Sequence, residues 1–185
     1  MMKISETTLP GVLLVDVQVF TDARGSFMET WHSERYAEGG VPPHFVQDNL
    51  SFSRHGVLRG LHFQHPHGQG KLVYVLQGEI FDVAVDIRIG SPTFGQWVGV
   101  PLSEKNHQQL YVPDGFAHGF CIVSPTAMVA YKCTDIYRPQ TEGGVLWNDP
   151  ELNIQWPISQ PNLSPKDASY PLLRDIDPAR LPQYR

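Results

Sequence analysis

The chain of 185 residues has only two cysteines, Cys121 and Cys133, and they form neither a C-x-x-C pair nor a metal-ligand spacing. That excludes a thioredoxin-type redox centre and a zinc ribbon, and we read both as buried free thiols of a cytoplasmic protein. Long apolar runs are also missing. None approaches the ~20 residues that a membrane helix needs, and Met1–Lys3 leads into Ser5-Glu6-Thr7, which is not the core of a signal peptide. Charge is sparse, at 18% of residues, and acidic in balance: 19 Asp+Glu against 14 Lys+Arg give −5 and a pI near 5.9. Such a surface does not suit nucleic acid, although a local cationic pocket remains compatible with it. There is no internal repeat and no low-complexity segment.

Turn-formers and aromatic residues are plentiful: Gly 16, Pro 16 and 11% Phe, Trp and Tyr. The length suits one domain over residues 1–185, able to bury roughly two-thirds of its unfolded surface. Alternating apolar residues mark a strand from Val12 through Val19, ending in the turn Thr21-Asp22-Ala23-Arg24-Gly25. Ser33–Glu38 reads as a short helix with Ser33 as N-cap and Gly39-Gly40 as its stop. Strands are predicted over Val46–Phe52, Val57–Phe63, Lys71–Leu76, Ile80–Ile89, Phe94–Val100, Gln109–Val112, His118–Val123 and Met128–Thr134. From about residue 150 prolines recur, which predicts a wrap of loops and short helical turns. Strands at this spacing predict an all-β, antiparallel jelly roll of the cupin type with short peripheral helices.

Two groups of residues carry possible chemistry. His65-Pro66-His67 and the later Pro113-Asp114-Gly115-Phe116-Ala117-His118 echo the metal motifs of cupin jelly rolls. The carboxylate such a site places four residues after its second His is here Lys71, whose ammonium repels a divalent cation. We therefore expect no metal and read His65 and His67 as a solvated loop pair. His62 differs, because it interrupts the apolar strand Leu58-Arg59-Gly60-Leu61-His62-Phe63. It is either a satisfied core histidine or a base. Arg59 and Lys71 nearby do not belong in a dry core. A regular strand would face Arg59 and His62 to opposite sides, so a shared site requires a bulge at Gly60. Tyr131 shares a strand face with Val129 and Cys133, and is either core packing or an acid. A neutral imidazole, a phenol and fixed cations together suit removal of a proton beside a carbonyl, with Lys71 stabilising the enolate oxygen. Arg88 and Lys132 are read as structural.

An ordered set of motifs then resembles a known family. It runs Phe20–Glu29, Gln47-Asp48-Asn49, Arg59–Gln64, Lys71–Gly78, Asp82–Asp86, Val112–Phe120, Tyr131–Thr134 and Ser164-Pro165-Lys166-Asp167. Together these resemble the dTDP-4-dehydrorhamnose 3,5-epimerases, over about residues 5–173. The resemblance implies a cofactor-free cupin that works as a homodimer and inverts C3 and C5 of dTDP-4-dehydro-6-deoxy-glucose. It implies His62 as base, Asp167 as its partner at Nδ1, Tyr131 as the acid on the opposite face and Lys71 as enolate stabiliser. It assigns dTDP-sugar binding to Arg24, Glu29, Gln47, Asn49, Arg59, His118, Glu142 and Lys166. Tyr137 is the implied platform for thymine, with Phe27 of a partner chain opposite. Strand exchange would carry Arg24 and Glu29 to the other chain's site. Three other readings are a C3-only epimerase or ketoisomerase of antibiotic pathways, a non-catalytic sugar-nucleotide-binding cupin, and a metal-dependent oxygenase.

Overall fold

The computed structural model describes residues 2–184. Strands dominate, in the order β1 (Lys3–Glu6), β2 (Leu13–Asp16), β3 (Val19–Asp22), β4 (Gly25–Met28), helix α1 (Ser33–Glu38), β5 (Gln47–Arg54), β6 (Leu58–Gln64), β7 (Lys71–Gln77) and β8 (Glu79–Asp86). There follow β9 (Trp97–Ser103), β10 (Gln108–Val112), β11 (Phe116–Ile122), β12 (Thr126–Cys133), β13 (Glu142–Gly144) and three 3-10 turns beginning at Asp167, Leu173 and Pro178. The strands form a six-stranded sheet, β1-β2-β10-β7-β12-β5, a five-stranded sheet, β13-β6-β11-β8-β9, and a separate β3-β4 ribbon. All pairs between named strands are antiparallel. The predicted all-β sandwich is what forms. No helix among the described residues is long and apolar enough to cross a membrane.

The period-two alternation of the strands explains the layers. Along β8, Ile80 and Ala84 join Val73, Leu110, Phe120 and Val129 in a core between the sheets. Phe81, Val83 and Val85 point the other way, under Leu152, Leu173, Ile176 and Leu181 of the tail. The outer face of the six-stranded sheet is closed by Tyr36 of α1, Val41, Trp31 and Phe45 over Leu13, Val15 and Leu72. The tail is fastened by polar bonds: Trp97 Nε1 donates to Leu152 O at 2.9 Å, and the Leu173 amide to Asp149 Oδ2 at 2.7 Å.

Several expectations shift. The apolar alternation runs on through Val17 and Val19, yet β2 ends at Asp16 and β3 pairs only with β4. Periodicity cannot register a change of partner. The helix N-cap is His32, whose Nδ1 accepts from the Arg35 amide at 3.4 Å, and not Ser33. β9 starts at Trp97 and not Phe94, because Asp86 gathers the Arg88 amide, Ser91 Oγ and Thr93 Oγ1 into a loop that holds the intervening residues. β1, β4 and β13 are additional.

The bulge required at Gly60 is present. His118 pairs with His62 but Phe120 pairs with Arg59, so β6 spends one residue more than β11 over the same span. His118 and Phe120 share a face, and Arg59 and His62 therefore do too. Gly60 has φ +128, and a Cβ there would sit 2.6 Å from Gly119 Cα and 2.8 Å from His118 O, both backbone. Gly60→Ala is expected to cost about 3 kcal/mol through strain and overlap, lowering Tm by on the order of 10 °C. Thermal unfolding checks this, and a Tm within about two degrees of wild type contradicts it.

Candidate active site

The sandwich brings seven of the predicted residues, Gln47, Asn49, His62, Lys71, Tyr131, Tyr137 and Glu142, to one cavity from both sheets. On the six-stranded side, register sets Gln47 beside Cys133 beside Lys71, and Asn49 beside Tyr131 beside Val73. Cross-strand partners share a face, so these rows form one polar wall. On the five-stranded side, Glu142, Gly144, His62 and His118 come from β13, β6 and β11. Between the walls lies a cavity of about 270 Å³ lined by Gln47, Asn49, His62, Lys71, Tyr131, Tyr137 and Glu142, with Phe63, Gln64 and Gln69.

Asp167 closes on His62 from the tail, with Oδ1 2.6 Å from Nε2. The resemblance implies Nδ1 as the meeting atom, and the structure corrects this. The strand presents the ring with Nε2 toward the Ser164–Asp167 turn. An ionised carboxylate only accepts, so Nε2 carries a proton, and in the neutral imidazole the lone pair is then on Nδ1. Burial by itself raises the Asp167 carboxyl. The bonds from His62, Ser164 and the Gly60 amide outweigh it and hold the group below its ordinary value. Tyr170, three residues on, lays its ring edge against His62 with centroids 5.8 Å apart. Gly144 gives it room, since a Cβ there would overlap the Tyr170 ring.

Lys71 makes no hydrogen bond or ion pair among the described residues. Burial lowers its pKa, opposed by the charges of Cys133, Asp82 and Glu142. Burial raises the Tyr131 phenol, with Cys133 and Glu142 adding and Arg59 opposing. Arg59 is exposed and its Nε and Nη2 donate to Ser53 Oγ at 3.2 and 3.1 Å. His118 is buried, with Nε2 2.5 Å from Asp82 Oδ1. Glu142 Oε2 takes Lys166 Nζ at 2.5 Å and the Tyr137 hydroxyl at 2.7 Å.

The structure does not bring Arg24, Phe27 and Glu29 to this cavity. Arg24 pairs with Asp22 on the β3-β4 ribbon, its side chain 89% exposed, and Phe27 is 71% exposed. Glu29 pairs with Arg35. Gln64 belongs to one of the family-like motifs, yet the sequence gives it no role. Its Oε1 accepts the Arg138 amide at 2.7 Å and its Nε2 donates to Ile136 O at 3.2 Å, which holds the loop that carries Tyr137. A lone amide at the end of an apolar strand is the available signal. Tyr170 carries no signal in the sequence that singles it out, and Asp82 shows only as a polar residue inside an apolar strand of a family-like motif.

Cys121 and Cys133 are buried and free. Arg88 is bound to Asp86 at 2.7 Å and lies over the rings of Phe116 and Tyr184, and Lys132 binds Asp48 at 3.0 Å. Among the described residues no group of three or more His, Cys, Asp or Glu is placed to hold a metal. His67 stands with Nδ1 4.0 Å from Asp135 Oδ2, its side chain more than half exposed.

The chain is similar to known proteins along most of its length. Residues 6–175 match the family described as dTDP-4-dehydrorhamnose 3,5-epimerase. A protein of that name from Neisseria gonorrhoeae is 56% identical over 90% of this chain, which spans about half (51%) of that relative's length. One from Salmonella typhimurium is 53% identical, over 94% of this chain and 96% of its own. The crystal structure of dTDP-6-deoxy-D-glucose-3,5-epimerase from Legionella pneumophila, in complex with dTDP-4-keto-L-rhamnose, has a TM-score of 0.97 and 52% identity, each chain covered in full. The chain therefore belongs to the dTDP-4-dehydrorhamnose 3,5-epimerase family.

Proposed function

We propose that the chain converts dTDP-4-dehydro-6-deoxy-glucose to dTDP-4-dehydro-L-rhamnose by inverting C3 and C5. The observation that carries this reading is a base and an acid on opposing walls. His62, held by Asp167 at 2.6 Å, stands on the five-stranded sheet, and Tyr131 on the six-stranded sheet. Inversion requires that a proton leave one face of a carbon and return to the other.

His62 Nδ1 takes the proton from C3, and the C–H electron pair moves through C4 to the carbonyl oxygen. An imidazolium of ordinary pKa ~6.5 is a far stronger acid than such a C–H, so the enolate oxygen needs a fixed positive charge, which Lys71 supplies. Asp167 stabilises the imidazolium that forms. The Tyr131 O–H then gives its proton to the carbon from the opposite face, and the enolate returns to the ketone. Burial raises this phenol, so it enters the step protonated. The same groups repeat the exchange at C5. Solvent resets both, giving up a proton to Tyr131 and taking one from His62.

Gln47, Asn49, Arg59, His118, Glu142 and Lys166 bind the dTDP part around the cavity, with the half-exposed Tyr137 as the surface for thymine. The working unit is a homodimer in which each β3-β4 ribbon lends Arg24, Phe27 and Glu29 to the other chain's cavity. Their distance from their own cavity and the ribbon's lack of any further strand partner support this. If so, subunit exchange between inactive Arg24→Ala and His62→Ala proteins restores activity. With half the dimers mixed and one intact site in each, about a quarter of the wild-type rate returns. A mixture no more active than its parents contradicts the exchange.

Solvent deuterium incorporation into dTDP-4-dehydro-6-deoxy-glucose, followed by NMR with no metal added, tests the function. Exchange at both C3 and C5 supports it, exchange at C3 alone makes the chain a C3 epimerase, and no exchange overturns it.

A further inference from the structure

Asp82 is fully buried and has two oxygens in different circumstances. Oδ1 lies 2.5 Å from His118 Nε2, whereas Oδ2 is buried with no hydrogen-bond partner. A buried carboxylate oxygen left unpaired is costly, and its persistence needs a reason. Lys71 presents the complementary puzzle, an ammonium in the polar wall with no paired anion among the described residues. The acidic groups whose charges reach it are Cys133, Asp82 and Glu142. Cys133 is kept a neutral thiol, since burial raises it above its ordinary value despite Lys71 and the Asn49 amide. Glu142 is already committed to Lys166 and the Tyr137 hydroxyl. The charge left over is that of Asp82.

We propose that Asp82 is a positioning residue for the reaction, a buried counter-charge that keeps Lys71 protonated while it orients His118. The inference rests on Lys71 as the enolate stabiliser. Cys133 of β12 is the register partner of Lys71, and His62 of β6, Tyr131 of β12 and Glu142 of β13 line the cavity with it. Asp82 acts on it from β8. Among these groups Asp82 is the fully buried carboxylate with an oxygen to spare. Without it, desolvation acts on the ammonium with less to oppose it, and the neutral amine cannot stabilise an enolate.

Asp82→Asn tests this, because the amide preserves shape and still accepts from His118 Nε2. The alkaline limb of the pH–kcat profile, where Lys71 loses its proton, is expected to move down by about one pH unit or more. Binding of dTDP stays within about threefold of wild type, since the amide oxygen still holds His118 in place. A merely structural Asp82 would lower stability and leave the limb in place, and an unmoved limb overturns the proposal.

Should Asp82→Asn not fold, the wild type still decides. Its five lysines allow the Lys71 side chain to be followed by ¹³C NMR, assigned through its loss in Lys71→Met. Titration of Lys71 below neutral pH overturns the proposal, and an ammonium that persists above it supports it. Lys71→Met separates the two levels. If that variant exchanges deuterium like wild type, the enolate role itself fails; if exchange is lost while the Asp82→Asn limb is unmoved, only the role of Asp82 fails.

Discussion

Replacing His62 with alanine is expected to reduce deuterium exchange at both C3 and C5 by about 10³-fold or more. In the proposed reaction one base serves both carbons, so the two signals fall together. No second group stands ready. His118, its neighbour across the sheet, is turned into Asp82 and buried. Lys71 has the proposed role of enolate stabiliser. Burial pushes Glu142 up, but its bonds from Lys166 and Tyr137 outweigh that push and hold it below its ordinary pKa, a weak base. NMR of the recovered sugar measures both positions, with dTDP binding as the control for an intact site. Retention of more than a few per cent of the exchange rate would remove His62 from its role.

Tyr131→Phe is expected to divide the reaction. The ring packs against the core beside Val129, and its hydroxyl has no hydrogen-bond partner among the described residues, so phenylalanine keeps the packing. Proton removal by His62 persists, and deuterium enters C3 within about threefold of the wild-type rate. What disappears is delivery to the opposite face, so inversion at both C3 and C5 falls by about 10²-fold. The measurement is a time course that resolves exchanged but uninverted sugar from product. Equal loss of C3 exchange and of inversion would count against two separate faces.

How much of this is legible in the sequence depends on the range of the interaction. Alternation in Ile80–Asp86 and Met128–Cys133 announces strands because a strand writes its period into adjacent residues. The β3-β4 ribbon is hidden because Val17 and Val19 continue the alternation of Leu13 and Val15 while the chain changes partner. The bulge at Gly60 can be deduced as a condition, since Arg59 and His62 are three apart and must share a face to serve one site. The pairing of His62 with Asp167 cannot be, because the carboxylate arrives from a proline-rich segment with no periodicity. Resemblance supplies the pair but mistakes the nitrogen. Asp82 reads as one polar residue inside an apolar strand, and only the fold shows that one of its oxygens is left without a partner.

The tail that covers the five-stranded sheet also has a consequence for the order of events during synthesis. Every strand of both sheets lies before Val145, whereas the carboxylate that holds the base belongs to the turn at Asp167. When β13, the last sheet strand, has been synthesised, the carboxylate that meets His62 has yet to be added. Leu173, Ile176 and Leu181, which pack against the five-stranded sheet, come later still. The contact between Asp167 and His62 is therefore among the last parts of the fold to become available.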